Sequence, residues 1–201
     1  FKIAICGSSE DRAVTFGNDI GLYVLRNAAG EVGFRVSVGG GLGRTPMIGS
    51  TVREFLPWQH VMSYCEAILR VYNRYGRRDN LYKARIKILL KALGVEEFTR
   101  QVEAEFKHNE NGASTITQAE LNRVAGFFTE PEYKTLNDVD FTQTEFADNI
   151  AFTRWRERNT RAHKRAGYAS VVLSFKANDV APGDATSKQM RVVADLADAH
   201  S

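Results

Sequence analysis

The stretch from Phe34 to Pro46 reads FRVSVGGGLGRTP: a short alternating strand runs into three consecutive glycines, Gly39, Gly40 and Gly41, followed by Leu42, Gly43 and Arg44. Three side chains removed in a row mean a turn with positive φ or a backbone that something approaches closely. Phosphate loops use glycine so that amides at a helix N-terminus meet the anion, and they carry GxGxxG or GxxxxGK(S/T) between a parallel strand and a helix. GGGLGRTPM has neither spacing, and Pro46 arrives before any helix. A nucleotide site is disfavoured. Two readings stay open, a positive-φ turn and a nest of amides facing another anion.

The flanking segments place the loop. Phe1 to Cys6, Ile20 to Arg26 and Gly33 to Val38 have strand-like patterns, and NAAGE between the last two reads as a hairpin. No capped helix lies between the first two strands, so an antiparallel arrangement is expected. Beyond the glycines, Trp58, Val61, Met62, Cys65, Ile68, Leu69 and Tyr72 recur at helical spacing, predicting a helix from Pro57 to near Gly76. A second helix is expected from about Asn80 to Leu93, closed by Gly94, and a third over VEEFTRQVEAEF with acids in its first turn. Residues 107–149 read as a linker carrying a short helix at TQAELNRVAGFF. A basic helix over Thr153 to Arg165, a strand at YASVVLSFK, a turn at NDVAPGD and a helix from Ser187 complete the reading.

Composition narrows the class. With 43% hydrophobic and 25% charged residues in 201, the chain is ordinary globular material, and a formal charge of +3 does not by itself imply nucleic acid. No apolar run reaches the roughly 20 residues that span a bilayer, and no membrane partner is expected. Cys6 and Cys65 match no metal-ligand spacing and are too few for a disulfide framework, so a cytoplasmic, reducing location is expected. The chain starts without a methionine inside a strand pattern and stops in a helical one, which reads as a piece of a longer protein.

Several groups offer chemistry. Arg74, Arg77, Arg78, Lys83, Arg85 and Lys87 form a basic stretch with one acid, Asp79, in which Lys83 and Lys87 are expected on an exposed helical face. In RWRERNTRAHKR, Trp155, Asn159 and His163 would share one helical face and Arg154, Arg158, Arg161 and Arg165 a neighbouring one. Such a stripe suits a non-catalytic nucleic-acid or anion-binding module, but aromatic interleaving is sparse and nucleic acid is the disfavoured partner. His60, His108, His163 and His200 show no HxxxH or HxH spacing, so no metal ligands are expected here. Lys2, opposite in direction to Phe1 and Ile3 on its strand, is either a surface charge or an ammonium aimed at an oxyanion.

The blocks FKIAICGSSEDRA, GFRVSVGGGLGRTP, EFLPWQHVMSYCEAILRVYNRYGRRDN and KARIKILLKALGVEEF, in that order, resemble the hemoprotein subunit of assimilatory sulfite reductase and the related ferredoxin-type nitrite reductases over Phe1 to Phe106. The later WRERNTRAHKRAGYASVVLSFKANDVAPGDATSKQMRVVADLADAHS resembles the ferredoxin-like half-domain opening the family's second repeat. The resemblance implies an α+β fold: a mixed, largely antiparallel sheet with helices on one side in residues 1–106, a linker over 107–149, and a ferredoxin-like half-domain over 150–201. It implies an oxidoreductase in which siroheme coupled to a 4Fe-4S cluster reduces sulfite to sulfide, or nitrite to ammonia, with a flavoprotein or ferredoxin as electron donor. Phe1 and Lys2 match the end of the family's RKFK segment, which makes Lys2 an active-site lysine. Gly39, Gly40, Gly41 and Arg44 would lie against the carboxylate-rich edge of the siroheme. The family's CxxxxxC and CxxxC cluster ligands have no match here, so Cys6 and Cys65 are not ligands and the piece alone is expected to be inactive.

Overall fold

Alternation in Ile3–Cys6 (β1), Ile20–Arg26 (β2) and Val32–Val38 (β3) produces three strands, and a fourth, Ser50–Pro57 (β4), follows the glycine loop. The computed structural model describes residues 1–138, 140, 144, 146–181 and 183–200. Pro182 of the expected turn lies outside the described residues. The chain divides into two units, Phe1–Thr129 and Glu130–Ser201.

In the first unit the strands form one sheet in the order β1-β2-β3-β4. β2 with β3 and β3 with β4 are antiparallel, as the hairpin dictates. β1 is not: it runs parallel to β2, with Ile3 beside Ile20 and Ile5 beside Leu22. The expectation of an antiparallel start fails because a parallel pair needs only a connection long enough to return, not a helix. Residues Gly7 to Asp19 return as irregular chain with one 3-10 turn, Thr15–Gly17. The strand β4 escaped the sequence reading because its pairing to β3 is irregular around Val36, where register shifts break strict alternation.

Helices cover one face of this sheet. Pro57 ends β4 instead of starting a helix; a 3-10 turn, Trp58–His60, leads into α1, Val61–Tyr75. Asn80 caps a further 3-10 turn, Leu81–Lys83, so α2 spans only Ile86–Leu93. Gly94, with φ 83°, breaks the chain into α3, Val95–Asn109, whose first turn carries Glu96 and Glu97. Ile20, Leu22, Val36 and Val38, alternate residues of β2 and β3, join the buried faces of α1, α2 and α3 in one core. Ile3 and Ile5 share that face but lie beyond the helices, 43% and 58% exposed. On the opposite face, the returning segment seats Thr15 against Gly21 and Ser37. A last helix of this unit, α4 (Gln118–Ala125), forms within the expected segment and is capped by the Thr117 side chain.

The second unit holds α5 (Ile150–Asn159), a hairpin of β5 (Thr160–Ala162) and β6 (Ala169–Val171), and α6 (Ser187–His200). The expected helix to Arg165 ends six residues early, because Thr160 turns into β5. His163 is therefore not on the helical face of Trp155 and Asn159, and Arg161 and Arg165 are not on that of Arg154 and Arg158. Segment 130–138, read from sequence as linker, packs on this hairpin: the Tyr133, His163 and Tyr168 rings meet at 5.2–5.8 Å, and the Gly167 amide donates to Asp138.

The glycine run is explained locally. Gly39 takes φ 85°, and its amide donates to the Asp19 carbonyl at 2.9 Å. A Cβ on Gly40 would lie 2.1 Å from the Phe16 carbonyl oxygen and 2.6 Å from that of Asn18. What approaches so closely is the chain's own backbone at the 3-10 turn. Gly40→Ala must push the 16–18 backbone off the sheet end and should lower stability by about 2–3 kcal/mol. Thermal unfolding checks this; a melting temperature within a degree of wild type would contradict the packing account.

Candidate functional site

The parallel start of the sheet determines which residues meet. Because β1 and β2 begin side by side and β3 ends beside them, Lys2, Asp19 and Gly39 occupy one end of the sheet. Asp19, 1% exposed, is the centre of this end. Its Oδ2 accepts the Lys2 amide at 2.9 Å, its Oδ1 accepts Nε of Arg85 at 2.9 Å, and its carbonyl accepts the Gly39 amide. Arg85 is the residue immediately before α2 and has an extended backbone, so its side chain leaves the helix end toward the sheet.

Around this cluster the surface is concave. A cavity of about 520 Å3 is lined by Lys2, Asn18, Asp19, Gly41, Leu42 and Arg85, with Phe1, Val14 and Gly17. A second, of about 510 Å3, shares Phe1, Asp19 and Arg85 and extends over Tyr72, Arg78 and Leu81. A third, of about 460 Å3 and almost wholly apolar, shares Val14, Gly17 and Leu42 and continues over Phe16, Met47 and Ile48. The three form a trough with a cationic middle and an apolar flank. Leu42 and Ile48 on that flank are 72% and 81% exposed, the kind of uncovered apolar surface that marks a ligand or partner face.

Lys2 stands in the cavity wall with an exposed side chain, its backbone fixed on both sides by Asp19 and Ile20. Gly41 also lines it, while its amide and carbonyl form a two-way bridge to Met47 at 3.0 and 2.9 Å. Gly39 and Gly40 are buried behind the wall. Arg44 is exposed on the Leu42–Pro46 loop and does not line the three cavities. Lys87 departs from its expected exposed face: it is 6% exposed and donates from Nζ to the Thr45 carbonyl at 2.5 Å, holding that loop from below. Lys83 lies outside α2 altogether. Asp19 and Arg85, the organising pair, were missed as a pair. The only sequence signals were an acid directly before the strand at Ile20 and one arginine among many.

Several of the remaining basic residues are ion-paired. Arg77 pairs with Asp79, and Arg70 and Arg74 share Glu105. In the second unit Lys164 and Arg165 both pair with Glu130, and Trp155 stacks on Phe152. Among the described residues no group of three or more His, Cys, Asp or Glu is placed to hold a metal ion. Nor is any helix among them long and apolar enough to cross a membrane.

A family model described as "Nitrite and sulphite reductase 4Fe-4S domain" matches residues 1–110. The chain belongs to this family. It is 36% identical over 113 residues to Sulfite reductase (ferredoxin) of Synechococcus elongatus, covering 53% of this chain and 18% of the relative. It is 37% identical over 110 residues to the Sulfite reductase (NADPH) hemoprotein beta-component of Leptospira biflexa, covering 51% and 20%. The same component of Staphylococcus epidermidis is 32% identical over 127 residues, covering 54% and 22%. Among solved structures, the NirA protein of Mycobacterium tuberculosis aligns over 46% of this chain and 17% of its own, at 30% identity and a TM-score of 0.44. The chain thus spans about a fifth of the length of the curated relatives it matches.

The two cysteines differ in chemistry. Cys6 is buried at the end of β1, where the Ser8 amide, then those of Ala13 and Arg12, outweigh burial and hold its thiol below the usual range. Burial in α1 pushes the Cys65 thiol up to about 11. At pH 8, iodoacetamide should therefore modify Cys6 well before Cys65, since the thiolate is the reacting form. Peptide mass spectrometry of a labelling time course reads the order, and faster labelling of Cys65 would contradict these environments.

Proposed function

We propose that this chain is part of a siroheme and 4Fe-4S reductase that converts sulfite to sulfide, with nitrite reduction to ammonia as the second reading within the same family. The observation that carries the proposal is Lys2 in the wall of a cationic cavity flanked by apolar surface, on a chain whose first 110 residues match the family model. Residues 150–201 are then the half-domain opening the second repeat. The protein works in the cytoplasm with a flavoprotein or ferredoxin as electron donor.

The residues present suit the tetrapyrrole and not the cluster. Val14, Leu42 and Ile48 would offer apolar contact to a flat ring with a carboxylate-rich edge. Gly41 lets that edge approach, and Arg44 adds charge on the neighbouring loop. Cluster ligation finds nothing comparable here: Cys65 is a buried protonated thiol and Cys6 already donates to the Glu10 carbonyl. When bound, siroheme and cluster supply the iron site and the electrons for reduction. The chain's own contribution is electrostatic. Lys2 holds the anion near the wall with its ammonium and can pass a proton from Nζ to a departing oxygen.

In the full-length protein, Lys2→Ala should cut sulfite turnover by about a hundredfold or more while leaving the siroheme absorption spectrum in place. Turnover within twofold of wild type would remove Lys2 from the reaction. Comparing kcat/KM for sulfite and nitrite in the same preparation decides between the two substrates.

A further inference from the structure

We propose that Asp19 is both the positioning residue and the counter-charge of the cationic cavity, and that it sets how firmly the cavity wall holds an anion. The inference rests on the reading of this cavity as an anion site. Three of Asp19's oxygens are committed: Oδ2 to the Lys2 amide, Oδ1 to Arg85 Nε, and the carbonyl to the Gly39 amide. Each of these three partners belongs to a different part of the fold, namely the start of β1, the residue before α2 and the end of β3. A carboxylate this buried persists only when paired and hydrogen-bonded, and here both requirements are met.

The pairing has a consequence for the wall. Among the described residues Arg85 is held through Nε, with its side chain 39% exposed, and its terminal nitrogens lie along the wall beside Gly41. Among the side chains of the lining, Lys2 and Arg85 contribute two positive charges and Asp19 removes one, leaving a net charge of one. A single unit charge at about 5 Å from a bound anion, in partly screened surroundings, shifts affinity on the order of tenfold. Asp19 therefore restrains the cavity from binding its anion too tightly to release the product, while keeping both cations in register.

The test is a sulfite titration of the chain at fixed pH and ionic strength, followed by amide NMR, which reads millimolar affinities. Asp19→Asn should bind sulfite about tenfold more tightly, with a steeper salt dependence, and Arg85→Gln about tenfold more weakly. Structural damage would move both variants in the same direction, so weakening in both, or no change in either, overturns the inference. The double variant Asp19→Asn with Arg85→Gln restores the wall's net charge and should return to within threefold of wild type. It replaces the buried pair by two neutral hydrogen-bonding groups, so it keeps the test decisive if Asp19→Asn alone fails to fold. A double variant that stays as weak as Arg85→Gln also overturns the inference. Failure of the underlying reading has its own signature: a wild-type chain that binds no sulfite, or binds it equally well after Lys2→Ala, removes the anion site itself.

Discussion

Asp19 is a carboxylate almost sealed from water, and the end of the sheet depends on the three bonds it makes. A short parallel edge strand has little to hold it: β1 is four residues long, and its apolar side chains Ile3 and Ile5 remain largely exposed. The Lys2 amide, one residue before the strand, would have no acceptor within the sheet, and Asp19 supplies one. The same carboxylate draws in Arg85, which ties the start of α2 to the sheet. Removing Arg85 would leave the buried Asp19 charge without its counter-ion, the costly outcome for such pairs. The cavity therefore owes its shape to a buried interaction that itself belongs to the lining.

Much of the architecture was legible because it is local. The helices α1, α3 and α4 follow from apolar spacing and from caps at Gly94 and Thr117, features readable in a single turn. What escaped was non-local. Parallel or antiparallel pairing of β1 is decided by where the segment Gly7 to Asp19 travels, and no residue within it encodes a return path. β4 was hidden by the irregular register around Val36. Lys87 reads as a surface residue by type, and only the position of the Thr45 carbonyl above α2 makes it a buried donor. The glycines read as a positive-φ turn or a place of close approach, and the approaching group, the backbone of residues 16–18, could not be named from the loop alone. For the site, Lys2 was singled out on its resemblance to a family segment, while Asp19 and Arg85, 66 residues apart, have meaning only as a pair.

The helical layer is pinned to the sheet by a second charged group. Glu103 on α3 accepts from the Tyr64 hydroxyl on α1 and from Arg53 on β4, both at 2.7 Å. Arg53 in turn lies over the Tyr64 and Phe106 rings at 5.4 and 5.2 Å. Burial, then the neighbouring Glu103, pushes the Tyr64 hydroxyl far above the ordinary phenol range, so it stays a donor at any working pH. This group lies toward the β4 side of the sheet, opposite the edge where Asp19 acts. The second unit has no counterpart: none of its described residues is buried, and its order rests on exposed aromatic contacts and on Glu130.

Between the cationic and apolar parts of the trough stands Val14, in a left-handed conformation with φ and ψ both 51°. A β-branched residue is a poor occupant of that region, and the strain is of order 1–3 kcal/mol. The compensation is visible. Asp11 accepts from the Thr15 amide at 2.8 and 3.0 Å and from its hydroxyl at 2.7 Å, closing the turn just beyond Val14. Burial raises the Asp11 carboxyl, but these bonds outweigh it and hold it below the usual range. A glycine at position 14 would relieve the strain and remove the apolar side chain that both cavities share. The valine side chain packs against Gly17, where an added Cβ would lie 3.0 Å from it, and it stands where the apolar flank and the cationic wall meet.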